Sequence, residues 1–159
     1  PDAPLAVIRR AQKLAEQQPE ARPWRTVRDA ISGLPEPTRD GSAQHLNHVL
    51  QPGARSYPGH TGSAIDAPAK ALKAGVHGVP GGENMLLRPD GSVRYFTVRE
   101  AARLQTFPER YQFHGAWSES MRQLGNAVPM LLGRAVVATG WSEPQTTRSQ
   151  PKLSMTCST

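Results

Sequence analysis

One cysteine, Cys157, is all the thiol chemistry the 159-residue sequence carries, and it stands near the end in a run rich in Ser and Thr. A lone thiol builds neither a disulfide framework nor a Cys-based zinc site, and a reducing compartment fits. Cys157 also lacks the positive or helix-terminal surroundings that make a thiolate nucleophile. Aromatic residues are 6% and hydrophobic residues 37% of the chain, against about 45–50% apolar residues, Gly included, in an ordinary globular domain. The implied core is thin, and a chain of this size is expected to borrow core from a partner. No apolar run approaches the roughly 20 residues that span a bilayer, and no signal-peptide pattern opens the sequence. Gly-x-Gly-x-x-Gly, a Walker lysine and a nucleophile elbow are all missing, which removes the commonest nucleotide-binding and hydrolase signatures. The first residue is Pro1 rather than Met, read as the edge of a cut piece.

What the chain does have is base, proline and glycine. Lys and Arg number 19 against 13 Asp and Glu, for a net charge of +6, and the isoelectric point is near 10.1. A polyanion partner and a merely solvated surface both fit that charge. With 15 Pro and 14 Gly, loops and turns are favoured over long packed elements.

Five helices and one hairpin are readable. Leu5, Ile8, Ala11, Leu14 and Ala15 share a face at helical spacing, so residues 5–17 read as an amphipathic helix. Thr26 with Asp29 three residues on opens a short helix that Gly33 and Pro35 stop. Residues 35–62 are turn chemistry with one possible helical turn at His45 to Leu50. "MLLRPDGSVRYF" reads as two strands around a Pro-Asp-Gly turn, a hairpin from Met85 to Phe96. Thr97 and Glu100 form a capping box for a helix from Val98 to about Thr106, stopped before Pro108. A further helix near Ser118 to Leu124 should end at Gly125 in a left-handed cap, and a last one should start about Pro129 and run to Gly140. The tail after Trp141 reads as disordered.

Candidate chemistry within the chain is sparse. His45 and His48 are spaced to share a helical face, but no third ligand accompanies them, so no metal is expected. The glycine-rich "GVHGVPGGEN", with Lys70, Lys73 and His77 before or within it and Arg88 and Arg94 flanking the turn, fits either a surface loop or a groove wall that follows phosphates.

Two longer strings decide the matter. "VRYFTVREAARLQTFP" and "MRQLGNAVP" resemble the ninth and tenth motifs of the DNA cytosine-5 methyltransferases. The first runs through Arg94, Thr97, Arg99, Glu100, Ala102, Arg103, Leu104, Gln105, Phe107 and Pro108. The second follows a spacer carrying Tyr111, Phe113 and Trp117, and is matched at Gln123, Gly125, Asn126 and Val128. "WRTVRDAISGLPEP" resembles the segment after the eighth motif of the bacterial enzymes, and "GHTGSAIDAPAKALKAGVHGVPGGEN" resembles their variable target recognition domain. The likeness covers about Trp24 to Thr139.

That resemblance implies the α/β, Rossmann-like fold of S-adenosylmethionine-dependent methyltransferases. This chain would hold only a mixed, loop-rich α+β recognition domain and C-terminal helices. By the same token residues 1–34 form a helical segment after a missing catalytic core, and residues 35–96 the target recognition domain with its glycine-rich loop and hairpin. Residues 97–141 form the ninth and tenth motif helices returning to the catalytic domain, and residues 142–159 a disordered tail. Asn126, Ala127 and Val128 are the implied cofactor wall for S-adenosylmethionine. Lys70, Lys73, His77, Gly81, Gly82 and Arg94 are the implied contacts to duplex DNA, and Thr97, Arg99, Glu100 and Arg103 the scaffold. The family's Phe-x-Gly-x-Gly, Pro-Cys-Gln, Glu-Asn-Val and Gln-x-Arg-x-Arg segments do not occur here. The chain is therefore expected to hold no catalytic residue and to be inactive alone, and its implied partners are double-stranded DNA and the N-terminal catalytic half, in the same chain or as a separate subunit, with no membrane. In the whole enzyme a flipped cytosine takes a Cys thiolate at C6 and a methyl group at C5. A bacterial cytoplasmic, nucleoid-associated protein of a restriction–modification system is implied. The family's Thr-Leu is Ala71-Leu72 here, which removes a phosphate-contact hydroxyl worth about 1 kcal/mol. The alternative is a DNA-binding module or decayed remnant with no catalytic partner.

Overall fold

The computed structural model describes residues 23–41, 45–74 and 82–140. The expected helix at residues 5–17, His77, Gly81 and the tail with Cys157 lie outside the described residues. Among the described residues there are four α-helices, α1 (Val27–Ile31), α2 (Val98–Leu104), α3 (Trp117–Asn126) and α4 (Met130–Gly140), and a 3-10 turn at Gly82–Asn84. Three short strands, β1 (Ser63–Ala64), β2 (Met85–Leu87) and β3 (Val93–Tyr95), form a mixed sheet in that order. β2 and β3 are the expected hairpin, antiparallel with Leu86 opposite Arg94. Gly91, at a φ of 81°, supplies the left-handed residue of its turn. β1 pairs parallel with β2, Ser63 opposite Leu86, a pairing no local pattern announces.

Both capping boxes form. In α1 the Thr26 hydroxyl accepts from the Asp29 amide while the Asp29 carboxylate accepts from the Thr26 amide. The same reciprocal pair joins Thr97 and Glu100 at the start of α2. The next amides of α1 find carbonyls far along the sequence: Val27 donates to Ala67 and Arg28 to Ile65. That junction binds α1 to the segment following β1.

One core serves all of this. Leu86 and Phe96 from the hairpin, Val98, Ala101 and Ala102 from α2, and Met121 and Leu124 from α3 are buried together with Val27. Phe96 is wholly buried, worth about 1.5–3 kcal/mol for a side chain of its size. Trp117 closes the edge, its indole donating to the Phe96 carbonyl at 2.9 Å. The turn at residues 45–47 does not grow into a helix, and His48 is structural. Its Nε2 lies 2.8 Å from the Pro35 carbonyl and its Nδ1 2.9 Å from the Thr97 hydroxyl. The carbonyl can only accept, so Nε2 carries the proton and Nδ1 accepts from Thr97.

Two helix ends differ from the sequence reading. α2 stops at Leu104, with Thr106 left-handed at a φ of 59°. The Phe107 amide reaches back to the Ala102 carbonyl and the Thr106 amide to that of Arg103. This is a Schellman ending with Thr where Gly is usual. α3 runs straight through Gly125 to Asn126, so Gly125 is not a left-handed cap. Its need for glycine comes from contact: a Cβ there would stand 2.8 Å from the Lys73 carbonyl carbon and the Ala74 nitrogen.

Candidate functional site

The ninth-motif helix spends its charge inward. Arg94 and Glu100 are buried and face each other through two hydrogen bonds of 2.7 Å, and Glu100 also accepts from the Thr97 amide. Burial works against the Arg94 charge, but the hydrogen bond and charge of Glu100 outweigh it and hold the guanidinium above its ordinary value. Arg94 Nε lies 3.3 Å from Glu36, which also pairs with Arg88. Arg94, expected as a DNA contact, is instead buried with both terminal nitrogens held by the Glu100 carboxylate, so it packs inward rather than outward. Arg99 is nearly inaccessible and pairs with no carboxylate among the described residues; it donates to the Leu46 carbonyl at 2.8 Å and the Tyr111 carbonyl at 2.7 Å. Burial accordingly lowers its pKa. Arg103 joins Glu109 at 2.6 Å and the Ser32 carbonyl at 2.7 Å, tying α2 to the end of α1.

The break between α3 and α4 is held by the end of α2. The Gln105 side chain donates to the Leu124 carbonyl at 3.1 Å, and the Gln105 carbonyl accepts from the Met130 amide at 3.1 Å. The Thr106 hydroxyl accepts from the Leu131 amide at 2.9 Å. Two residues therefore satisfy the last turn of one helix and the first of the next, groups that would otherwise need caps of their own. Ala127 is the extended residue after α3, while Asn126 and Val128 stay exposed, Val128 at 63%. A side-chain amide thus stands beside an exposed apolar side chain at this turn. A cleft of about 350 Å³ adjoins this turn, lined by Ala69 to Leu72, Gln105, Gly125 and Pro129. The Gln105 side-chain oxygen is buried with no partner among the described residues.

On the other side of that cleft lies the basic segment. Lys70 is exposed, its amino group 3.3 Å from the Thr61 hydroxyl and its amide bonded to Ser63. Lys73 pairs with Glu83 at 2.8 Å, and that hydrogen bond holds the Glu83 carboxyl below the usual carboxylate range. Gly82 is buried against its own chain: a Cβ there would meet the His60 Cα at 2.5 Å, so its close approach is to His60 rather than to a ligand. His60 stacks on the exposed Tyr57 at 4.2 Å between ring centres, and one ring nitrogen, Nδ1, is buried without a partner among the described residues. The Tyr57–His60 stack was not foreseen; no periodic pattern marks it, and it forms at an isolated two-residue bridge. Asn84 was also missed, although an Asn placed just before an apolar strand is a usable signal for a loop clamp. Among the described residues no cluster of three His, Cys, Asp or Glu could hold a metal, and no helix is long and apolar enough to cross a membrane.

Residues 25–139 match the family of C-5 cytosine-specific DNA methylases. The chain belongs to that family. Type II methyltransferases are among its curated relatives. M.AplI of Arthrospira platensis is 42% identical over 73 residues, 45% of this chain and 21% of that protein. M.AgeI of Thalassovita gelatinovora is 55% identical over 49 residues, 31% of this chain and 11% of that protein. M.BsuRI of Bacillus subtilis is 30% identical over 139 residues, 74% of this chain and 30% of that protein. This C-5 cytosine methylase chain thus spans less than a third of the length of each of these three relatives. Family membership implies the fold of S-adenosylmethionine-dependent methyltransferases; the described residues contribute a small mixed sheet and helices.

Proposed function

We propose that this chain is the DNA-recognising part of a DNA (cytosine-5-)-methyltransferase and supplies one wall of its S-adenosylmethionine site. The observation that carries the reading is the Gln105–Thr106 clasp, which fixes the Asn126–Val128 turn with both side chains outward. Asn126 would hold the cofactor by hydrogen bonding and Val128 by apolar contact, with Ala127 as the backbone link. When bound, the cofactor supplies the methyl group, and the nucleophilic thiolate belongs to the half that bears Pro-Cys-Gln. Lys70 and Lys73 would face duplex DNA, with Tyr57 and His60 beside them; His77 and Gly81, outside the described residues, are proposed as further contacts on sequence grounds. Gly82 supports that edge from within. The exposed apolar residues of α4, among them Leu131, Leu132 and Val137, fit a surface that the catalytic half covers.

The reading is tested on the chain itself by fluorescence anisotropy with a labelled duplex across a salt series. Affinity should fall linearly with salt on logarithmic axes, and Lys70→Ala should shallow the slope by about one phosphate contact. A salt-independent affinity, or a slope unmoved by Lys70→Ala and Lys73→Ala together, would remove the basic segment from the DNA-facing surface.

A further inference from the structure

The peptide of Lys73 is gripped on both sides by groups that cannot yield. Asn84, fully buried, accepts from the Lys73 amide and donates to the Lys73 carbonyl, each at 3.2 Å. Against the same peptide lies Gly125, where a Cβ would meet only backbone: the Lys73 carbonyl carbon and the Ala74 nitrogen at 2.8 Å, and the Lys73 oxygen at 2.9 Å. Gly125 is the residue before Asn126, which ends α3. On the far side of that helix end, Gln105 holds the Leu124 carbonyl and the first amide of α4. Beside the cleft, the basic segment and the Asn126–Val128 turn therefore meet through one backbone contact, Lys73–Ala74 against Gly125, flanked by the Asn84 and Gln105 hydrogen bonds, and close-packed contacts of that kind transmit displacement rather than absorb it.

We infer that the Lys73–Asn84–Gly125 junction couples the two ligand-facing parts of the chain, so that duplex DNA engaging Lys70 and Lys73 steadies the Asn126–Val128 turn, and a ligand on that turn steadies the DNA-facing segment in return. The inference rests on the function proposed above and adds the contact through which recognition and cofactor site cooperate. Asn84 and Gly125 act as positioning residues; neither touches a ligand. The coupling is reciprocal because it is a free energy shared between sites.

Hydrogen exchange on the chain, with and without a mixed-sequence 20-base-pair duplex at low salt, reads both faces at once. DNA is expected to slow exchange at Lys70 to Lys73 and, by about fivefold or more, the lower end of ordinary coupling, at the amides of Asn126 to Leu131. Asn84→Asp keeps the size and the acceptor but loses the donor to the Lys73 carbonyl; Gly125→Ala drives the two segments apart. In both, DNA protection at Lys70 to Lys73 should persist while that at Asn126 to Leu131 is lost, a split that general loosening of the fold would not produce. Should Gly125→Ala fail to fold, the native chain and Asn84→Asp decide the matter. Protection confined to Lys70 to Lys73 in the native chain, or kept at both faces in Asn84→Asp, overturns the coupling alone. Absence of DNA protection anywhere overturns the DNA-facing reading and the coupling with it.

Discussion

α2 and α4 invert each other. The first buries two charged side chains, Arg99 and Glu100, within seven residues and satisfies them by hydrogen bonds, whereas the second exposes Leu131, Leu132 and Val137, each more than half accessible. Burial of a charge is tolerated only where partners are complete, and exposure of large apolar residues in a row is usual only where something covers them. The difference separates a segment that closes the chain on itself from one that presents a surface outward.

The sharpest way to break that contrast is to take away half of the buried pair. Glu100→Gln leaves Arg94 with no buried charge to answer it, and should cost about 3–5 kcal/mol in urea unfolding, a large share of a domain's stability. A loss below about 1 kcal/mol would mean that water or Glu36 replaces the carboxylate. On α4 the expectation reverses: Leu132→Lys should change unfolding by less than about 0.5 kcal/mol, since the site is exposed, while lowering any self-association seen by light scattering. Strong destabilisation there would show that the face is packed within the chain.

Between these extremes lies Thr106, at the seam of the two helices. Thr106→Val keeps the strained left-handed backbone and removes the acceptor for the Leu131 amide, for an expected loss of about 1 kcal/mol. Thr106→Gly removes the same acceptor but relieves a conformation that costs an ordinary residue about 1–2 kcal/mol. Its melting temperature should therefore lie above that of Thr106→Val. The reverse order would locate the value of Thr106 in its side-chain packing.

The smallest effect is acid sensitivity. The hydrogen bond from Lys73 holds the Glu83 carboxyl low, and that from Arg103 does the same for Glu109. A depressed carboxyl contributes stability that is present above its unfolded value, near 4.3, and is lost as pH falls through its folded value. Urea midpoints should thus be flat from about pH 7 to 5 and decline below about 4. Glu83→Gln with Glu109→Gln should flatten part of that decline; an unchanged slope would assign it to other carboxylates.

Local chemistry was legible in the sequence, and contacts across the chain were not. The capping boxes at Thr26 and Thr97 and the Pro-Asp-Gly hairpin are decided within a few residues, and all form. Gly125 carries the ordinary signal of a helix stop, but the space a Cβ would need is taken by Lys73, about fifty residues earlier. Arg94 beside a turn resembles a solvent-facing donor until Glu100, on the next helix, claims both of its terminal nitrogens. The parallel pairing of β1 with β2 also joins segments that no periodicity links. The Asn126–Val128 turn was recognisable as a motif, yet the means of holding it, Gln105 and Thr106, emerges only when two helix ends meet.

The central claim is that this chain completes a methyltransferase by contributing recognition and one cofactor wall. The direct measurement is transfer of labelled methyl from S-adenosylmethionine to cytosine C5 in duplex DNA, with the chain alone, with the separately made half that bears Pro-Cys-Gln, and with both together. The account predicts transfer only in the mixture, with the Michaelis constant for S-adenosylmethionine raised by Asn126→Ala; transfer by the chain alone, or by the Pro-Cys-Gln half at the same rate without it, would contradict it.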